Sequence, residues 1–336
     1  MNGQPSKAAA EPVPVEALVL GRVRSSRRIR AEHVRDYGII AFVIGIFAFF
    51  SIASPVFLTT GNLLNLVYQN ATVGIVACAV TLVIIAGNFD LSLGAIFALS
   101  EVLCAWSAVH LGIAWAFPVA IVAGAAMGLV NGLLVTKLRV NSFLATLSSG
   151  LAFSGIAVGV TGGVLITVSG DAFTFIGQER AGDIQYPNFI FLVVAVVLQL
   201  VLAFTVFGRY CYGVGGNRDA ARLSGIKVDS IVIVTFVITG AACGASGLID
   251  ASTAGAGSSA VGTNLALSAI AAVALGGTSI FGGIGSVWRT VVGVFMLGMI
   301  TNGFNLLSVP NYWQDIVRGG LIVVAVAIGT LVERRS

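Results

Sequence analysis

Ten apolar runs, most of them near the roughly 20 residues that cross a bilayer as a helix, restrict this chain more than any other feature. They fall at 37–52, 63–85, 91–108, 113–135, 142–165, 189–207, 230–249, 263–275, 287–307 and 313–331. In lipid, every backbone polar group must be satisfied within the chain, which leaves only helices or a closed barrel. The alternating ten-residue segments of a barrel are missing. The expected fold is therefore all-α: a polytopic membrane helical bundle of about ten transmembrane helices. Composition agrees, since 10% of residues are charged against roughly 25% in a soluble domain. The 42 glycines suit helices that pack closely in a membrane.

The placement of basic residues orients the runs. Arg22, Arg24, Arg27, Arg28, Arg30 and Arg35 precede the first run. With that end inside, the inner loops hold Lys137, Arg139, Arg209, Arg218, Arg222, Lys227, Arg289, Arg334 and Arg335. The outer side has only Arg180, with Arg318 near the outer end of the last run. This is the positive-inside asymmetry, and an even number of spans puts both termini in the cytoplasm. The chain then divides into a basic cytoplasmic tail, 1–36, and a transmembrane domain, 37–332. The tail lacks the short apolar stretch of a signal peptide. Its arginines suit an anionic lipid surface, and no nucleic-acid partner is expected. The loop 170–187, with Asp171, Glu179 and Asp183, falls outside.

Four scattered cysteines (Cys78, Cys104, Cys211, Cys243) and two histidines (His33, His110) offer no metal-ligand spacing. They are expected to be inert thiols, with no metal site and no catalytic set in the chain. One internal echo stands out: 127–134 (MGLVNGLL) returns as 299–306 (MITNGFNL), on the fourth and ninth runs. Five spans apart, one copy is inverted relative to the other, as in transporters built from inverted repeats.

The longest polar interruption on the inner side is 208–229 (GRYCYGVGGNRDAARLSGIKVD). Gly215 and Gly216 are expected to break the chain and Asn217 to cap a short helix. That helix carries Ala220, Ala221, Arg222, Leu223 and Ser224 and is stopped by Gly225. Such an amphipathic helix serves either as an ordinary interfacial element or as a docking element for a soluble partner.

This loop resembles the coupling region of permeases in the ribose-type bacterial ABC importer family. Three further stretches are similar to the same family in order and spacing. They are 87–94 (GNFDLSLG), 275–286 (LGGTSIFGGIGS), and 302–307 (NGFNLL) with its following Tyr312, Trp313 and Gln314. The resemblance runs from about residue 37 to the C-terminus; Gly213 and Asn88 depart from the usual Ala and Gly. It implies an inner-membrane permease that pairs with a second copy of itself and translocates a small sugar. A separate P-loop ATPase would hold ATP and Mg, and a periplasmic sugar-binding protein would deliver the cargo. No cofactor is expected in this chain, which has no Gly-x-x-x-x-Gly-Lys pattern of its own.

Among single residues, Asp90 and Ser92 lie between two apolar runs. Asp90 is read either as a cap on the third span or as a functional group, since charge at membrane depth is expensive. Glu101 lies midway along that span, where the family has small or apolar residues, and is expected near the pore or the dimer interface. Asn302 and Asn305 are further pathway or structural candidates. Asp315 and Arg318 are spaced to pair on one helix face. Gly240, Gly244 and Gly247 form a small-residue face suited to close helix contact. The competing class is an ion-coupled secondary transporter using Asp90 or Glu101, which leaves the 208–229 loop without a purpose.

Overall fold

A computed structural model describes residue 38 and residues 40–334 of the chain; the basic tail 1–36 lies outside the described residues. The first apolar run appears as α1 (Ile40–Ala53). The second, expected as one span, is broken into α2 (Thr60–Gln69) and α3 (Ala71–Ile85), which meet at 47°. The reason is Asn70, whose side-chain amide turns back to donate to the Leu66 carbonyl at 2.7 Å. That amide also lies against Gly298, where a Cβ would strike it.

The main bundle follows as α4 (Leu93–His110), α5 (Ile113–Thr136) and α6 (Ser142–Thr161). Strand β1 (Ile166–Thr167), α7 (Asp171–Gln178) and the hairpin β2 (Arg180–Ala181) with β3 (Ile184–Gln185) fill the next connection. Helix α8 (Tyr186–Phe204) leads to α9 (Val206–Gly216), α10 (Arg218–Leu223) and α11 (Val228–Ala254). Strand β4 (Ala256–Gly257) pairs antiparallel with β1, with Ile166 opposite Gly257. The chain ends with α12 (Leu265–Leu275), α13 (Val287–Leu306) and α14 (Asn311–Arg334). Among the described residues six helices are long and apolar enough to cross a membrane, namely α4, α5, α6, α8, α11 and α13; α2 with α3 makes a seventh if taken as one span. Helix α12 is short, with 11 residues.

Helix α3 is buried along nearly its whole length, and α8, α11, α12 and α13 pack around it. The outer helices turn large apolar side chains such as Val122, Leu151, Leu192 and Phe204 outward. That inside-out apolar surface is what a bundle solvated by lipid tails presents.

The small-residue face of α11 meets a matching face on α5. A Cβ on Gly240 would sit 2.9 Å from the Gly128 backbone, and one on Gly244 would sit 2.9 Å from Ile121 Cα. Gly247 lies in the same way against Glu101 N of α4, at 3.0 Å. With no hydrophobic force between helices in lipid, such backbone approach supplies the packing that holds them. Gly240→Val is therefore expected to destabilise the fold by about 2 kcal/mol or more through overpacking. Gly155, which faces open space on α6, supplies the control: Gly155→Val is expected to leave the thermal transition in detergent unchanged.

Candidate functional site: three motifs joined at the basic end of the bundle

The short helix expected in the inner loop is present as α10. Asn217 caps it, its Oδ1 accepting from Asp219 N at 3.0 Å and Ala220 N at 2.9 Å. Ala221 is buried, Arg222 and Leu223 are exposed, Ser224 closes the helix, and Gly225 follows at φ 82°. The expected break falls just past the glycine pair: α9 includes Gly215 and ends at Gly216, before the extended Asn217. Gly215 serves close approach. A Cβ there would overlap the Ile85 carbonyl oxygen and stand 2.6 Å from Gly283 N, whereas one on Gly216 would meet nothing.

That contact joins three stretches distant in sequence. Gly283 N donates to the Ile85 carbonyl at 2.9 Å, tying the 275–286 loop to the end of α3. Tyr212 on α9 donates from its hydroxyl to the Gly285 carbonyl at 2.8 Å. Arg218 on α10 donates to Asn88 Oδ1 at 2.6 Å. Asn88, a departure from the family pattern, is thus the side chain that receives α10. Partial burial and the neighbouring Arg222 lower the Arg218 pKa from the ordinary arginine range, and Asp229 opposes them.

Behind the junction a buried polar chain crosses three helices. Ser149 of α6 donates to Asn131 Oδ1 at 2.6 Å, Asn131 of α5 donates to Ser92 Oγ at 2.7 Å, and Ser92 Oγ donates to Asp90. Asp90 also accepts from Ser92 N at 2.9 Å. Its reading as a cap is refined accordingly: Ser92 is the N-cap of α4, and the carboxylate braces the turn ahead of it. An aspartate reaches the amide two residues on more readily than the helix's own first turn. Ser142 and Thr146, one turn apart on α6, accept from Phe89 N and Leu91 N at 3.1 and 3.0 Å.

A second irregular segment, 255–264, precedes α12. It runs along α4 from Glu101, whose Oε1 accepts from Ser258 N at 2.9 Å, to Gly94. There a Cβ on Gly262 would lie 2.7 Å from the Gly94 carbonyl oxygen. Seven residues of helix make that run about 10 Å. Glu101 is buried, and its charged neighbour is Asp250 of α11. Asn302 exchanges a reciprocal pair of amide hydrogen bonds with Asn62 of α2, at 2.9 and 3.0 Å. Asn305 accepts from Gln314 of α14 at 2.8 Å, so the two parts of that last motif bind each other. Asp315 and Arg318 do pair, at 3.7 Å.

The structure thus brings Asp90 and Ser92 together, and Gly215 and Gly216 up against the 275–286 loop. It leaves Glu101, Asn302 and Asn305 in separate clusters. Sequence reasoning missed Asn62, Tyr212 and Asp250, whose partners lie far along the chain. The Ser142–Thr146 spacing of four was the one legible signal among the missed groups, since it sets two hydroxyls on one helix face.

A helical membrane bundle with such a junction defines a transport component. Residues 62–326 match the family described as branched-chain amino acid transport system / permease component, and the chain belongs to that family. It is 36% identical over 304 residues to the ribose import permease protein RbsC of Escherichia coli K12, covering 89% of this chain and 94% of that protein. It is 31% identical over 369 residues to the xylose transport system permease protein XylH of Haemophilus influenzae, covering 90% and 98%. No solved structure matches it.

Gly215→Ala is expected to lower stability by about 2 kcal/mol or more, read as the thermal transition of the detergent-solubilised protein. Gly216→Ala, where a Cβ meets nothing, is expected to match the unsubstituted protein. Equal transitions for both variants would contradict the junction.

Proposed function

We propose that this chain is the membrane-spanning permease of a bacterial ATP-binding-cassette importer whose cargo is a small sugar. The observation that carries the reading is the seating of α9 and α10 on the 87–94 and 275–286 stretches. A push on α10 from outside the bundle acts through Arg218 on the turn that leads into α4, and through Gly215 on the loop that leads into α13. The family description names branched-chain amino acids, but relatives that align over most of the chain are ribose and xylose permeases. Ribose, xylose, galactose and polyols are the cargo class in view.

In this reading the protein sits in the inner membrane with about ten spans, counting α1, α12 and α14, and with both termini cytoplasmic. Two copies pair around the pathway. Cytoplasmic P-loop ATPase subunits, holding ATP and Mg, dock on 215–225, and a periplasmic sugar-binding protein docks at the opposite end. Alternating access follows as closure of the ATPase pair moves α10. The inverted-repeat reading gains support from geometry. The irregular segments 86–92 and 255–264 precede α4 and α12, the helices that lead into the two copies of the echo, and the second of them reaches the first turn of α4, Gly262 lying against Gly94. Irregular backbone at membrane depth is characteristic of transporter pathways. The test is a gentle-detergent pull-down of the tagged protein with its own transporter subunits co-expressed. The expected result is recovery of a P-loop ATPase, lost when 215–225 is replaced; a chain that purifies alone and transports under an ion gradient overturns the reading.

The buried carboxylates favour the second reading, an ion-coupled secondary transporter. Both, however, already accept a backbone amide, Asp90 from Ser92 and Glu101 from Ser258. Glu101→Gln keeps the accepting oxygen and removes the charge. Sugar uptake in that variant is expected to stay within about twofold of the unsubstituted protein, because the amide hydrogen bond is a neutral-strength interaction. A loss of uptake with normal membrane abundance would favour ion coupling.

A further inference from the structure

Beside α10 lies a cavity of about 370 Å³ that the junction does not use. Its walls are the end of α5 and the turn into α6, the Gly87–Asn88 turn, α10, and the first turn of α11. Three guanidinium groups line it, those of Arg139, Arg218 and Arg222, against a single carboxylate, Asp229. That carboxylate is already engaged by Lys137 and Arg222, each at 3.7 Å. The lining therefore carries two positive charges in surplus.

Arg139 is the residue without a role. It makes no hydrogen bond or ion pair among the described residues, and it is exposed. Its backbone has φ 56°, in the left-handed region. The left-handed position just past the end of a helix ordinarily belongs to glycine. An arginine held there against backbone preference, facing a cavity that already holds two others, marks a site organised around its charge. Leucines next to two of these arginines are exposed, Leu223 beside Arg222 at 91% and Leu138 beside Arg139 at 68%. Arginine is enriched at protein interfaces.

We infer that this cavity receives an acidic side chain of the cytoplasmic ATPase subunit, with Leu138 and Leu223 seated on apolar surface of the same partner. The inference rests on the importer reading above and extends the docking surface from α10 to the α5–α6 turn. A protein carboxylate is favoured over a phospholipid headgroup by the exposed acid on the rim. Asp219, whose side chain is 91% exposed, disfavours an anionic membrane surface while leaving room for one carboxylate between the arginines.

The experiment is co-purification of the ATPase with the full-length tagged permease from co-expressing cells, washed at increasing salt, with bound phospholipid measured in the same samples. Arg139→Glu is expected to reduce the retained ATPase about tenfold at low salt, and Arg139→Lys to retain most of it. Arg139→Gly suits the backbone at this position and is expected to fold at least as well while losing the ATPase at lower salt than the parent. Restoration of binding to Arg139→Glu by an Asp or Glu changed to Arg on the ATPase would identify the partner carboxylate. If the parent permease holds its ATPase and Arg139→Glu holds it equally at every salt, the inference is overturned. The same retention with loss of bound anionic phospholipid overturns it too and makes the cavity a headgroup site. If the parent permease holds no ATPase at all, it is the importer reading that fails.

Discussion

Two stretches of non-helical backbone inside an apolar bundle set the terms for the rest of this structure. Where a helix stops in lipid, its amides and carbonyls have no water to bind, and each must find a partner within the protein. The segment before α4 finds hydroxyls on α6, through Ser142 and Thr146, and the Asp90 carboxylate. The segment before α12 finds the Glu101 carboxylate and a two-residue pairing with β1. The polar side chains that looked anomalous in an apolar sequence are the partners of these breaks.

The breaks also explain why glycine is placed as it is. Backbones that pass each other without helical grooves approach closely only where a Cβ is missing, at Gly94 with Gly262 and at Gly215 with Ile85 and Gly283. Helices α5 and α11 use the same device over several turns, through Gly124, Gly128, Gly240 and Gly244. Arg218 then links the exposed α10 to the Asn88 turn, Tyr212 links α9 to the 275–286 loop, and Gly283 links that loop to α3. A carboxylate entering the arginine cavity would act on α10 from its other side.

Hydrophobic run length and the distribution of Lys and Arg were enough to read a helical membrane protein with one basic end. Asn217 was legible as the cap of α10 because a cap needs only its own next three residues. The four motifs were legible as a family signature. Three things were not. The 47° break at Asn70 lies inside a run read as one span, since the polar pair Gln69–Asn70 does not by itself show whether a helix continues through it or ends. The close approach at Gly215 was read only as a break, because sequence cannot distinguish a glycine that ends a helix from one that lets another chain come near. The reciprocal amide pair of Asn62 and Asn302 joins residues 240 apart, and nothing local to either announces the other.

What the sequence determined by itself is therefore the solvent this chain folds in, the class of structure that solvent permits, and the start of α10 at its Asn217 cap. These depend on transfer free energies and short-range hydrogen bonds, which are properties of neighbouring residues. What only the tertiary structure decided is which motifs meet, which carboxylate serves which amide, and that Arg139 stands in a cavity beside Arg218 and Arg222 with no partner among the described residues. Those depend on backbones brought together from opposite ends of the chain, where the absence of a single Cβ decides whether contact is made.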